Sequence, residues 1–440
     1  MSDISRNSAL AITTDPQELQ SHVRKTGQAA MPSAKAWQRR TKGKAGFTKL
    51  AVGVCALAGL PGCTGAVTGG DQVQLEISGP PIDPQPDLTS SWDFYRVPRP
   101  TGDGPDGGRL AQAWAMLGRE DRGAASGSDE YRPRPCEPIT GASTGWDEVA
   151  DEIAAHAADH RIVIINESHQ VTRHRETTRM ILTRLKPLGF NVLAAEAFVH
   201  FSGPNSPIND PAAPAWPRLN DGSYLREPVF GRLVREAKAL GYRLSPYEEI
   251  FDYSAPQSED MIENITRRET AQAEHLAAIL RDMAPDERLI VHVGYSHAAE
   301  VAISRGQAEV EWMAARLKAL TGIDPLTIAQ TVCSHESGPV FLARPPEGVR
   351  PGQFDMIVSH PVADFVDSRP NWRRERGDIN VPIPAGLRPT ENPLVVEAYA
   401  WGEPFEAVPV DRIFVEPGED LPLLLPPGRY RLRAVRVANP

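Results

Sequence analysis

RIVIINESHQVTRHR (residues 161–175) opens with four consecutive β-branched apolar residues, Ile162 to Ile165, and runs directly into Asn166-Glu167-Ser168-His169. A short apolar run bounded by polar residues reads as a strand buried on both faces, as in a parallel sheet. This one ends in a carboxylate and an imidazole two residues apart. His174 and Arg175 follow about one helical turn further on.

The pattern repeats on both sides of that stretch. Trp146, Val149 and Ile153 recur at helical spacing before it. After it comes a helix from about Arg173 to Lys186, stopped by Pro187 and Gly189. NVLAAE (191–196) is a second buried strand, 228–241 a helix closed by Gly, and YRLSPYE (242–248) a third strand. Residues 258–284 predict a long helix between Ser258 as N-cap and Pro285; LIVHVG (289–294) is a fourth strand, and AEVAISRG continues as helix. Strands alternating with helices predict an α/β fold, a mostly parallel sheet with helices on both faces. LVVEAYA, RIFVEP, LPLLLP and RYRLRAV are short strands between Pro/Gly turns, and predict a small C-terminal β-sandwich from residue 388.

The expected organisation is a signal region over 1–62, a Pro/Gly-rich tether over 63–140, the α/β domain over 141–345, a solvated connector over 346–387 and the sandwich over 388–440. Residues 199–228 carry six prolines between a strand and a helix. Loops that long are usually functional or disordered, and a lid over the site is the functional reading.

The net charge of -10 argues against a nucleic-acid partner, which needs a basic footprint. The charge is uneven. Residues 1–62 hold nine Lys/Arg against three Asp/Glu, leaving 38 basic and 54 acidic residues in the remainder. The basic stretch WQRRTKGKAGFTK leads into the apolar run Leu50–Leu60, then Pro61-Gly62-Cys63. A basic segment, a short apolar run and a small residue before the break make a secretory signal, too short to span a bilayer. LPGC looks like a lipobox, with Pro61 where Ala or Ser is usual. Lipidation of Cys63 makes the lipid membrane a partner. Thr64 in place of the Asp retention signal points to the outer membrane, facing periplasm or exterior. Met31 is an alternative start. Of the other cysteines, Cys136 and Cys333 either pair in an oxidising compartment or stand as two buried thiols.

Ligands of parallel α/β sheets bind at the carboxyl ends of the strands. Four strand ends here deliver Glu167 and His169, Glu196, Tyr247 and Glu248, and Gly294-Tyr295-Ser296-His297. On the long helix, Met261, Ile265, Leu276, Ile279 and Met283 define an apolar face that places Arg268, Glu269 and Gln272 on or beside it and Arg267 opposite. Arg268 either forms a structural ion pair or orients a catalytic carboxylate or anionic substrate group.

The ordered motifs INESH (165–169), His174-Arg175, AAEAF (194–198), the Arg267-Arg268-Glu269 helix and GYSH (294–297) resemble the erythromycin-esterase/ChaN/TIKI superfamily over residues 146–335. Glu167-x-His169, with one spacer, is similar to ChaN-like lipoproteins; Asn166 stands where the family has Gly, which marks a divergent branch. The resemblance implies three activities: a His-activated water attacking an ester, metal-dependent proteolysis, or haem binding by a lipoprotein. Fold alone does not choose among them.

Three chemistries are therefore expected. In the first, His169 or His297 takes a proton from water, Glu167 or Glu196 orients the imidazole, Glu248 belongs to the same cluster, and Arg268 or Arg175 stabilises the oxyanion of a small-molecule or peptide substrate. A metal variant uses Glu167, His169, Glu196 and His297 as ligands of zinc or manganese. The second is a serine esterase, with Ser296 in Gly-x-Ser-x-Ala as nucleophile, Asp324 or Asp355, and His335 or His360; the alternative role for Ser296 is a helix cap. The third is haem or iron binding through Tyr295 or Tyr247 and the Pro-rich loop. His156, His160, His200, His275 and His292 receive no role, and His174 reads as support for the strand end.

Overall fold

The computed structural model describes residues 67–69, 72–84, 95–99, 107–200, 207–210, 212–250 and 258–437. The basic segment, the apolar run and Cys63 lie outside the described residues.

The fold is α/β. Its central sheet runs in the order Ser334–His335, Met356–Pro361, Leu326–Ala329, Ile162–Glu167, Arg288–Gly294, Phe190–Ala195, Arg243–Ser245. These neighbours are all parallel, and Phe341–Ala343 pairs antiparallel with strand 356–361. Ile162–Glu167 lies in the middle and is buried along its whole length. That burial accounts for its unbroken apolar run.

Side chains alternate across the sheet, as the pleat requires. Val163, Ile165, Leu193 and Ile290 face one helix layer, Trp146–Ala157, Arg173–Leu185 and Pro228–Ala239. Ile162, Ile164, Val192, Val291 and Val293 face the other, Met261–Asp282 and Met313–Thr321. Among the described residues no helix is long and apolar enough to cross a membrane.

A second, five-stranded sheet has the order Val67–Gly69, Val73–Ile77, Gly428–Arg436, Leu394–Ala400, Asp411–Val415. A two-stranded layer, Ile379–Pro382 with Pro422–Leu425, faces it across Val73, Leu75, Val381, Val396, Ile413, Leu423 and Leu432, giving the small sandwich. Its opposite face, with Val395, Phe414 and Val435, packs into the core shared with Trp114, Leu117 and the α/β helices.

Several sequence expectations are corrected. The 63–140 tether contributes strand 73–77, which pairs in parallel with 428–436, and the helices Gly107–Met116 and Glu120–Ala125. The 346–387 connector contributes strand 356–361 to the central sheet, and its Trp372 and Arg373 are buried rather than solvated. After His297 the chain forms the hairpin Ile303–Arg305/Ala308–Val310 rather than a helix. The cap of the long helix is Asp260, whose side chain accepts from Ile262 N, rather than Ser258. Cys136 and Cys333 are joined by a disulfide.

Candidate functional site

The alternation that builds the core also divides the site. Glu167 continues the odd-numbered face of its strand, and its side chain lies beneath helices 173–185 and 228–239, fully buried. Arg175 holds it with Nε at 2.7 Å from Oε2 and Nη2 at 3.1 Å from Oε1. Arg175 Nη1 donates to Glu227 Oε2 at 2.9 Å, and Glu227 in turn caps helix 228–239 by accepting from Val229 and Phe230 N. His292, buried in the adjacent strand, places Nε2 at 3.1 Å from Glu167 Oε2. Burial pushes the Glu167 carboxyl up, but Arg175 and His292 outweigh it and hold its pKa well below the carboxylate range.

Glu196 belongs to the other face. Arg268 Nη2 lies 2.6 Å from its Oε1, and Gly294 N donates to its Oε2 at 2.7 Å. Arg268 also grips both oxygens of Glu248, which accept from Gln272 Nε2 as well. Arg268 Nη1 is 3.1 Å from His297 Nε2, and His297 Nδ1 is 2.7 Å from Glu269 Oε2. Glu269 and Gln272 are buried and Arg268 is one-third exposed, as the helical spacing predicts; Arg267 pairs instead with Glu249. Burial raises the Glu196 pKa, but Arg268 and His297 bring it below the usual range. Burial opposes a charge on His297 and Glu269 favours one, and the balance raises its pKa.

His169 joins the two halves. Its Nδ1 is 2.9 Å from Glu167 Oε1, so Nδ1 donates to that carboxylate and Nε2 faces away from it. The ring turns toward Gly294, where a Cβ would lie 2.8 Å from His169 Nε2 and 3.1 Å from Glu196 Oε2. Both atoms therefore lie close to the same side of one glycine. Tyr224 packs on the imidazole with ring centroids 4.2 Å apart, and Tyr295 lies edge-on at 5.1 Å. Tyr295 has a left-handed backbone, φ 42°, and its carbonyl accepts from Asn166 Nδ2 at 2.7 Å. Asn166 thus ties the first strand end to the fourth. His174 Nδ1 accepts from Ser168 N at 3.0 Å, and burial lowers its pKa to about 3, so it is a neutral support for the loop.

Arg175 has no access to a substrate, because it is fully buried between Glu167 and Glu227. Arg268, by contrast, is partly exposed. It has five N–H groups. Glu248 takes two, Glu196 one and His297 one, which among the described residues leaves one on Nη1.

The residues do not fit a divalent metal. Glu167 is saturated by Arg175, His169 and His292, and the Arg268 guanidinium occupies the centre of the Glu196, Glu248 and His297 cluster. Among the described residues no group of three His, Cys, Asp or Glu side chains is arranged to hold a metal. A haem ligand is poorly served as well. Tyr247 is fully buried with its hydroxyl on His292 O, and the Tyr295 hydroxyl meets Ser168 and Gln170.

Ser296 sits in the 3-10 turn Tyr295–Ala298, which has no side-chain cap. The residues that would complete its triad are engaged elsewhere: His335 with Ser359, His360 with Gln330, Asp355 with Thr327 and Asp324 with Lys318. Of the Pro-rich 199–228 segment, the described part is folded against the site and the sandwich, with Leu219 N on Glu406 O and Val408 N on Pro217 O.

Sequence reading missed three contributors. His292 carried a signal, a lone polar residue within an apolar strand. Tyr224 and Glu227 carried none, because the path of their loop is set by tertiary contacts.

No family model matches the chain, and no curated protein matches it. Among solved structures, it is similar to the type III effector HopBA1, with 16% identity and a TM-score of 0.32 over 52% of this chain and 99% of that one. It is also similar to RRSP, a MARTX toxin effector domain from Vibrio vulnificus, with 16% identity and a TM-score of 0.30 over 49% of this chain and 43% of that one.

Proposed function

We propose that the chain is an exported hydrolase of the erythromycin-esterase/ChaN/TIKI type in which His169 activates water without a metal. The observation that carries this reading is that His169 Nε2 and Glu196 Oε2 lie close to the same side of Gly294, with Nδ1 fixed by Glu167. A water donating to both atoms presents its remaining lone pair to a carbonyl carbon. As its oxygen bonds to that carbon, His169 Nε2 takes the proton, and the ion pair with Glu167 stabilises the imidazolium. The remaining Nη1–H of Arg268 serves the carbonyl oxygen as negative charge develops there. Collapse expels the alcohol oxygen, which takes the proton back from His169, so ester and water become acid and alcohol. The disulfide supports an oxidising compartment, and with the Cys63 signal favours an outer-membrane lipoprotein.

The test is turnover of a panel of p-nitrophenyl esters by the purified chain, with and without EDTA. Activity that resists EDTA and is lost in His169→Ala and Glu196→Gln supports the reading. Loss with chelator would overturn the metal-free step, and a Soret shift on adding haem without any ester turnover would favour the binding role. Ser296→Ala keeps most of its activity here, whereas a dead Ser296→Ala beside an active His169→Ala would restore the serine elbow. Cys63→Ser releases soluble protein if the chain is lipid-anchored.

A further inference from the structure

Resting on the hydrolase reading, we propose that Arg412 of the C-terminal sandwich is a positioning residue for the His169 base, acting through the segment that carries Tyr224 and Glu227. Arg412 is fully buried on the sandwich face that packs against the α/β domain. Its Nε donates to Glu397 Oε1 at 2.8 Å. Its Nη1 reaches out of the sandwich, to Arg226 O at 3.1 Å and Met116 O at 3.2 Å. Glu397 is itself fixed by Arg433 Nε at 2.7 Å and Tyr399 Oη at 2.8 Å, so the guanidinium is a rigid hook.

The carbonyl it holds matters because of what lies on either side. The peptide plane of Arg226 O is also that of Glu227 N. Glu227 caps helix 228–239 and holds Arg175 at 2.9 Å, and Arg175 holds Glu167. Two residues earlier, Tyr224 stacks on His169. The sandwich secures the same segment again where Leu219 N and Val408 N make 2.9 Å bonds to Glu406 O and Pro217 O. Inside the segment, Arg226 Nε donates to Leu219 O at 2.6 Å. The C-terminal domain carries no reacting group, yet it grips the chain that both stacks on the base and secures its orienting carboxylate.

Arg412→Lys tests this. Lysine keeps the charge opposite Glu397, but a single ammonium on a flexible stem cannot also span two carbonyls. Three readouts follow on the full chain: melting temperature, amide exchange over 217–230, and the imidazole 15N signals of His169, assigned against His169→Gln. The variant is expected to fold, to exchange at Tyr224–Phe230 at least about tenfold faster, and to lose the Nδ1–H signature of His169. On an ester that the parent turns over, kcat falls about tenfold or more with KM little changed. A folded Arg412→Lys with parental exchange and parental His169 signals would overturn the proposal. The exchange and 15N readouts need no turnover, so a chain that hydrolyses nothing would sink the hydrolase reading alone. Should Arg412→Lys not fold, Glu397→Gln removes the charge that anchors the Arg412 guanidinium and leaves every residue of the 217–230 segment as it is. Unchanged His169 signals in that variant would overturn the proposal equally.

Discussion

Gly294 and His169 are packed so closely that no side chain fits between them: a Cβ on residue 294 would stand 2.6 Å from Cε1 and 2.8 Å from Nε2 of the imidazole. The backbone there is extended, φ −83° and ψ 145°, so alanine is tolerated by the chain itself and only the contact forbids it. Gly294→Ala therefore isolates the geometry of the base. The methyl must push the His169 ring, and with it the Glu196 carboxylate, away from residue 294. We expect a stability loss of about 1–3 kcal/mol, the usual range for overpacking, and a fall in ester turnover of about 10²-fold or more, comparable to removing a general base. Thermal melts with steady-state kinetics check both. Turnover within twofold of the parent would remove His169 as the base.

Glu167 couples stability to pH. Arg175 and His292 hold its folded pKa well below the usual value, against the opposing effect of burial. A depressed carboxyl favours folding when ionised. Its contribution is in place above the unfolded value of about 4.3 and is lost as pH falls through the folded value. Glu167→Gln removes that dependence and leaves Arg175 with Glu227 as its remaining carboxylate partner, a broken buried pair costing about 3–5 kcal/mol. Denaturant titrations from pH 6 down to pH 3 should show the parent losing stability more steeply than the variant. Parallel curves would contradict the assignment.

His297 sets two opposite trends. Its pKa is raised, with burial opposing and Glu269 favouring the charge. Its stabilising contribution is complete below the unfolded value of about 6.5 and fades as pH rises through the folded value. Activity runs the other way. Arg268 Nη1, 3.1 Å from Nε2, can donate only to a neutral ring, so protonation drives the guanidinium from its place. Ester turnover is expected to fall as pH drops through the folded His297 value. Glu269→Gln lowers that pKa and moves the acid limb to lower pH. A limb that stays put would assign it to another group.

The central sheet was legible because its strands are buried on both faces, and burial writes itself as unbroken apolar runs such as Ile162–Ile165. The rim carboxylates were legible because each interrupts such a run at its carboxyl end. The division of the site between two faces was also implicit, since Glu167 and Glu196 fall on opposite sides of the pleat once neighbouring residues are aligned. Strand 73–77 had a usable signal, the strict alternation of Val73, Leu75 and Ile77 with Gln74 and Glu76, but its Pro/Gly-rich surroundings masked it. Arg412 was not legible at all. Its role depends on which carbonyl lies across a domain boundary, and no local pattern encodes that.

The disulfide ties the 129–138 segment to the loop after strand 326–329 and closes a separation of 197 residues. Cross-links over loops this long restrict the unfolded chain strongly, and removing a native one costs about 2–5 kcal/mol. The double variant Cys136→Ser/Cys333→Ser should melt at lower temperature, and reductant should lower the parent to meet it. A parent melt insensitive to reductant under denaturing conditions would mean that the thiols are unpaired in the protein as made.

The N-terminal strand gives the last prediction. Val73 and Leu75 are buried in the sandwich core, and Val73–Ile77 supplies a parallel partner along Gly428–Leu432. A strand pair with one edge stripped exposes backbone donors and an apolar face together. Residues 388–440 alone lack strand 73–77 and also strand 379–382, so they should not fold when expressed by themselves. In the full chain, Leu75→Ala should cost about 2–5 kcal/mol, a core truncation far in sequence from the domain it weakens. Amide exchange would locate the damage in strands 428–436 and 394–400. Because the other face of that sheet carries Arg412, the same variant should also loosen the 217–227 segment, while the helix-packed strand 162–167 remains protected. Exchange that rises uniformly across both domains would mean that sandwich and α/β sheet unfold as one unit, and the separate weakening argued here would not exist.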